Sequence, residues 1–131
     1  MSVLLDTNVA IHIRDGDTYI TRKYAALPAA PSLSIVTVVE LAGGLATLDP
    51  TSRDQRERLG TELIHDLNVV PFDEVDAEQY RKIVRQIGFA RNRILDRMIA
   101  ATALRYSMPV VTANVRDFRD IPGLQIEDWS Q

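Results

Sequence analysis

The sequence predicts an α/β protein in which a short parallel β-sheet is covered by helices on both faces. Three observations lead to this prediction. The chain has 131 residues, which suits one domain, so residues 1–131 are treated as a single domain. Its composition, 46% hydrophobic and 25% charged, is typical of a globular protein with a buried core. Short apolar runs alternate with longer stretches in which apolar residues recur at helical spacing.

The alternation of strands and helices can be followed along the chain. The runs predicted as strands are residues 3–5, 33–36, 68–71, 109–112 and 124–126. Apolar stripes predict helices over residues 37–48, 51–67, 75–88 and 94–107. The stripe of the last helix contains Leu95, Met98, Ile99, Thr102 and Ala103. Helices between successive strands are the pattern of parallel βαβ units.

Polar side chains follow several of the predicted strands. Asp6 comes directly after the first strand, and Thr112 and Asn114 lie at the end of the strand over residues 109–112. Glu40 lies a few residues beyond the second strand. The carboxyl ends of parallel strands open onto one crevice, so we expect these groups to lie close together.

Four acids next to apolar elements are the candidate chemical groups, but each also has a structural explanation. Asp6 is placed to cap the helix after the first strand. Glu40 stands three residues after Thr37, the spacing of a capping box. Asp96 suits the first turn of its helix, where the helix dipole favours an acid, and Asp117 suits the cap of a short turn.

Considered together, the four acids predict a site for a hard divalent cation. Carboxylates that converge on one crevice repel each other, and a cation relieves this repulsion. Mg²⁺, with Mn²⁺ as an alternative ion, prefers such oxygen ligands and promotes hydrolysis of phosphodiester bonds. The chain has no cysteine and only two isolated histidines, which excludes disulfides, thiol catalysis and cysteine-ligated metal.

Four segments, in this order, resemble PIN-domain toxins of the VapC type. They are LLDTNV at residues 4–9, SIVTVVEL at 34–41, DRMIAATA at 96–103, and VVTANVRDF at 110–118, which is followed by IPGL at 121–124. The resemblance extends from residue 3 to about residue 127. It implies a three-layer α/β/α sandwich with a short central parallel sheet.

The same resemblance implies a metal-dependent endoribonuclease that is the toxin of a type II toxin–antitoxin system. Asp6 and Asp96 would be the principal metal-binding acids. Glu40 would complete the metal's ligands or orient water, and Asp117 would support the metal directly or through water. The implied supporting polar residues are Thr7, Asn8, Thr112 and Asn114. The implied partners are an RNA substrate (transfer or ribosomal RNA), a cognate antitoxin protein and a second copy of the chain.

The chain has an overall net charge of −3, but one segment of it is strongly basic. Residues 81–97 contain six basic side chains and one acid, which gives this segment a net charge of +5. Phosphate contacts by arginine and lysine dominate nucleic-acid affinity. We therefore predict that Arg91, Arg93 and Arg97, which surround Asp96 in the sequence, bind RNA. The alternative is a solvated helix face with local ion pairs.

Two other functions compete with the nuclease. One is an RNA-binding module of the same fold without catalysis, although such a module would be expected to lack at least one of the four acids. The other is a phosphoacceptor domain of the receiver type, which needs a lysine at a late strand end. The chain's two lysines, Lys23 and Lys82, lie in other positions. The sequence has neither a membrane-length apolar run nor a basic leader at its start, so we expect a cytoplasmic protein.

Overall fold

Five short strands form one parallel sheet in the computed structural model, which describes residues 2–130. The strands are β1 (Leu4–Leu5), β2 (Ser32–Ser34), β3 (Asn68–Val70), β4 (Val110–Thr112) and β5 (Ile126–Asp128). Their order is β3-β2-β1-β4-β5, and each neighbouring pair is parallel. The shortest strand, β1, is therefore central. The terminal residues of the predicted domain, Met1 and Gln131, lie outside the described residues.

In the part of the chain that the structure describes, six α-helices cover the two faces of this sheet. They are α1 (Thr7–Arg14), α2 (Thr18–Ala25), α3 (Ile35–Gly44), α4 (Pro50–Asp66), α5 (Glu74–Ile87) and α6 (Ile94–Tyr106). Successive side chains of a strand point to opposite faces of its sheet. Leu4 and Val110 accordingly pack in one core with α5 and α6, whereas Leu5 and Val111 pack in a second core with α1, α2 and α4. Two cores on one sheet confirm the predicted three-layer α/β/α sandwich.

The boundary between β2 and α3 differs from the prediction. Ile35 and Val36 were expected in a strand, but α3 already begins at Ile35. The reason is a serine cap: the Ser34 hydroxyl accepts a hydrogen bond from the Val36 amide at 3.0 Å, which starts the helix. Thr37 therefore lies inside α3 and does not begin it. The helix then ends at Gly44 and is followed by a 3₁₀ turn over Leu45–Thr47.

Smaller differences affect other elements. The apolar pattern predicts no helix at α2, because its eight residues are too short for a clear apolar stripe. The start of α2 is capped by Asp17, which accepts a hydrogen bond from the Ile20 amide at 2.9 Å. Strand β5 begins at Ile126, later than predicted. Helix α5 ends before Gly88, because Gly88 has a φ of +85°. Leu95 was expected on the buried stripe of α6 but is 44% exposed.

A buried polar network fastens α5 to α6. The Asp76 carboxylate is fully buried and accepts hydrogen bonds from the Thr102 hydroxyl at 2.8 Å and from the Arg105 guanidinium at 2.8 Å. Its Oδ2 also accepts from the Asp73 amide at 2.8 Å, which closes a capping box at the start of α5. The network restrains α6, the helix that carries Asp96.

Within residues 2–130, no helix has the length and apolar character required to cross a bilayer.

Candidate active site

Asp6 lies at the centre of the carboxyl edge of the sheet. It follows β1, and its amide donates to the Val111 carbonyl oxygen of β4 at 2.9 Å. The buried Thr112 hydroxyl donates to Asp6 Oδ2 at 2.9 Å, and Thr112 Oγ1 in turn accepts from the Asn114 amide at 2.9 Å. Asp6 occupies the N-cap position of α1, but its side chain makes no capping hydrogen bond. Its carboxylate is therefore held by β4 and faces the site.

Glu40 is brought to the same edge by two threonines. The Thr7 hydroxyl donates to Glu40 Oε1 at 2.7 Å, and the oxygens of Thr7 and Thr37 are 2.9 Å apart. A hydroxyl has one proton to donate, so Thr37 donates to Thr7 and Thr7 donates to Glu40. This contact joins α3 to the first turn of α1. Glu40 is oriented from within α3 and is not part of a helix cap.

Asp117 has both carboxylate oxygens engaged. It ends the 3₁₀ turn over Val115–Asp117. Asn114 Nδ2 donates to Oδ2 at 2.7 Å, and Arg93 Nη1 donates to Oδ1 at 2.7 Å. The carboxylate thus connects the loop after β4 to the segment before α6, instead of capping the turn that follows it.

Asp96 lies in the first turn of α6 and lines an open cleft between this helix and α3. The cleft has a volume of about 450 Å³ and is lined by Glu40, Arg91, Asn92, Ile94, Leu95 and Asp96. The carboxyl group is half-buried.

Burial and mutual repulsion shift the acidity of two of these groups. Burial raises the pKa of Asp6 from 3.8 to about 6; the hydrogen bond from Thr112 and the nearby Thr7 amide lower it, while the charges of Glu40 and Asp117 raise it. Burial, followed by the charges of Asp6, Asp117 and Glu40, raises the pKa of Asp96 to about 7. Each raised pKa means that the ionised carboxylate is disfavoured, because the surrounding hydrogen bonds and positive charges do not fully compensate its negative charge.

The donor set fits a Mg²⁺ or Mn²⁺ ion bound mainly by two acids. Within residues 2–130, no three acidic or histidine side chains lie close enough together to hold one ion. Mg²⁺ is usually bound by only one or two protein carboxylates, with waters and substrate phosphates as its other ligands. Asp6, which Thr112 holds at the edge of the sheet, and Asp96, which lines the cleft, are the candidates for these two ligands. Glu40 and Asp117, each already hydrogen-bonded, fit contacts through water.

The predicted RNA-binding arginines have three different environments. Arg91 is exposed at the mouth of the cleft. Arg93 is half-buried in its ion pair with Asp117. Arg97 is 5% exposed, and its guanidinium donates to the Gly88 carbonyl oxygen at 2.8 Å and approaches Asp120 at 3.5 Å. The prediction for Arg97 is corrected accordingly, because this side chain stabilises the segment before α6 and presents no free face to a phosphate.

The family model of the PIN domain matches residues 3–124, which is most of the chain. The chain belongs to the PIN-domain family. Among curated proteins, it is 29% identical to the tRNA(fMet)-specific endonuclease VapC of Salmonella typhimurium, with 98% of each chain covered. It is 27% identical to the ribonuclease VapC of Rickettsia bellii, covering 96% of this chain and 95% of the relative. These matches confirm the resemblance to VapC-type PIN toxins.

Solved structures agree with this assignment. The PIN domain superposes on a chain of the DNA-bound VapBC structure from Salmonella typhimurium with a TM-score of 0.84, at 27% identity and 98% coverage of both chains. It superposes on VapBC-1 from nontypeable Haemophilus influenzae with a TM-score of 0.80, at 26% identity and 100% coverage of both. The similarity therefore extends over the whole fold.

The structure also adds a site residue that the sequence pattern does not indicate. Thr37 is fully buried and supports Thr7, which orients Glu40. The sequence contains one indication of this role, because Thr37 stands three residues before Glu40. Residues at this spacing lie on the same side of a helix, and α3 begins at Ile35, so it contains both. Asn8, in contrast, is exposed on α1, whereas its neighbour Thr7 makes the contact to Glu40.

Proposed function

We propose that this PIN domain is a divalent-metal-dependent endoribonuclease of the VapC type and the toxin of a toxin–antitoxin pair. The observation that carries the proposal is the placement of the acids: buried Asp6 is held by Thr112 at the carboxyl edge of the sheet, and half-buried Asp96 lines the cleft together with Glu40. The ribonuclease names of relatives that match almost the whole chain support it. The proposed ion is Mg²⁺, with Mn²⁺ as an alternative.

The site's own residues account for most of the proposed chemistry. The ion, when bound, supplies Lewis-acid stabilisation of the negative charge that develops on the phosphate. Asp6 and Asp96 would hold the ion, and Thr112 keeps Asp6 in a fixed orientation by its 2.9 Å hydrogen bond. Glu40, aligned by Thr7, would orient an attacking water and accept a proton from it. Preorganised donors and carboxylates of this kind avoid reorganisation during the reaction.

Substrate and partner are proposed by similarity. The Salmonella relative is named as specific for tRNA(fMet), so transfer RNA is the first substrate to test, with ribosomal RNA as the alternative. Arg91, exposed at the cleft mouth, would contact the RNA backbone. Several similar structures are VapBC complexes, which supports a cognate antitoxin as partner. We also propose that the protein acts as a homodimer in the cytoplasm.

A cleavage assay on total cellular RNA tests the activity. The wild type is compared with Asp6→Asn in the presence of Mg²⁺ or Mn²⁺ and in EDTA. Asp54→Asn is the matched control, because Asp54 is an exposed acid on α4, away from the edge. We expect discrete, metal-dependent products from the wild type and from Asp54→Asn, and none from Asp6→Asn.

Two results would contradict the proposal. Equal cleavage by Asp6→Asn would show that the activity does not depend on this site. RNA binding without any cleavage, under all metal conditions, would favour the non-catalytic RNA-binding module.

Expression in a bacterial host gives a second readout, since the wild type should arrest growth and Asp6→Asn should not.

A further inference from the structure

Arg93 places a positive charge against the acidic edge. It ends the 3₁₀ turn over Arg91–Arg93, directly before α6. Its Nη1 donates to Asp117 Oδ1 at 2.7 Å, with the two side chains 28% and 24% exposed. A short charge-assisted hydrogen bond between half-buried partners is stronger than a typical surface ion pair. The contact is therefore a specific feature of this site.

Arg93 also stands close to a second acid of the site. It directly precedes α6 and lies three residues before Asp96, which is in the first turn of that helix. The neighbouring arginines are placed differently: Arg97 is bound to the Gly88 carbonyl oxygen, and Arg91 is exposed at the cleft mouth. Arg93 thus partly neutralises the same acids to which a divalent cation would bind.

We propose that Arg93 is a built-in counter-ion that competes with the divalent cation for the acidic edge. In the metal-free protein its guanidinium holds Asp117. When the cation binds, the two positive charges repel each other, and the guanidinium leaves Asp117 and turns to a phosphate of the RNA. This inference rests on the proposed function and assigns Arg93 a role in coupling cation binding to substrate binding.

The proposal has a thermodynamic consequence. A bound phosphate draws Arg93 from the acids, so RNA should strengthen cation binding, and the cation should strengthen RNA binding by the same factor. Without RNA, Arg93 should keep the affinity for the cation low. Removing its charge should then increase the affinity of the RNA-free protein, which is opposite to the effect expected for a residue that merely supports the site.

Calorimetric titration of the RNA-free protein with MnCl₂ at low ionic strength tests this consequence. The variants are Arg93→Gln, which keeps an amide donor for Asp117 but removes the charge, and Arg93→Lys, which keeps the charge. Arg116→Gln is the matched control, because Arg116 is an exposed arginine next to Asp117 in sequence. Thermal melting of each variant verifies that it is folded.

We expect Arg93→Gln to bind Mn²⁺ about 3- to 10-fold more tightly than the wild type, equivalent to about 0.7–1.4 kcal/mol. Arg93→Lys and Arg116→Gln should stay close to the wild type. Unchanged or weaker Mn²⁺ binding by folded Arg93→Gln would overturn the inference, since Arg93 would then only position Asp117.

The two proposals can fail separately. If cleavage requires the metal and Asp6 while Arg93→Gln binds Mn²⁺ like the wild type, only the role of Arg93 is refuted. If the wild type neither binds Mn²⁺ nor cleaves RNA, both proposals are refuted.

Discussion

Replacing Asp6 by asparagine should stabilise the metal-free protein at neutral pH while abolishing its activity. Asp6 is 2% exposed, and its carboxyl group titrates with a pKa of about 6 in the folded protein against 3.8 in the unfolded chain. Asparagine has the same shape and retains an oxygen that can accept the Thr112 hydroxyl. The substitution therefore removes the charge with little change in packing.

The size of the effect follows from linkage between protonation and folding. A pKa that is about two units higher in the folded state corresponds to about 3 kcal/mol, since one unit is worth about 1.4 kcal/mol. The protonated carboxyl group is tolerated, so the full stability is present below pH 3.8. As the pH rises from 3.8 to about 6, the ionisation of Asp6 increasingly destabilises the folded protein, and above that pH its effect stays constant. At pH 7.5, Asp6→Asn should be more stable than the wild type by up to about 3 kcal/mol.

Urea unfolding of both proteins in EDTA, from pH 4 to pH 8, measures this difference. The two free energies of unfolding should converge at about pH 4, diverge as the pH rises to about 6 and keep a constant difference above that, with Asp54→Asn following the wild type. Saturating Mn²⁺ should stabilise the wild type by about 2.7 kcal/mol at 100 times the dissociation constant and should have much less effect on Asp6→Asn. Parallel pH profiles for the wild type and Asp6→Asn would refute the assignment of an uncompensated buried charge to this residue.

Three further substitutions test the scaffold around the acids. Thr112→Val removes the hydroxyl that lowers the pKa of Asp6, so this pKa should rise above its wild-type value of about 6. NMR titration of the carboxyl group in EDTA measures the pKa, and an unchanged value would contradict the role of the hydrogen bond. Asp76→Ala breaks the buried network between α5 and α6 and should cost about 3–5 kcal/mol in urea unfolding, whereas exposed Glu78→Ala should cost much less. Phe118→Ala empties a fully buried position next to Asp117 and should cost about 3–5 kcal/mol; a loss below 1 kcal/mol would mean that this part of the core is loosely packed.

The pattern of the sequence was sufficient to predict the layers of the fold. The buried strands β1, β2 and β4 have only two or three residues each and require cover on both faces of the sheet, which the helical stripes between the predicted strands supply. The same rule brings Asp6 and Thr112 together, because the residues after neighbouring parallel strands meet at one edge. Boundaries were less predictable, as at Ile35, where a serine cap starts a helix within an apolar run that also suits a strand.

The roles of individual side chains at the site could not be obtained from the pattern. Arg93 and Arg97 have the same charge and lie four residues apart, yet one pairs with Asp117 and the other is buried against the Gly88 carbonyl oxygen. Thr37 looked like the start of a helix but is a buried support for Thr7. Each of these contacts joins residues from different elements, so local spacing carries no information about them.

By itself, the sequence determined the fold class and singled out four acids as candidates for the site, since periodicity and strand ends can be recognised from the order of residues alone. Only the tertiary structure decided how these acids are held and how strongly they repel one another. Burial of Asp6 and Asp96, and the hydrogen bond of Arg93 to Asp117, depend on segments up to about a hundred residues apart packing against one sheet edge. Electrostatic energies depend on distance and on exclusion of water, and both are set by that packing.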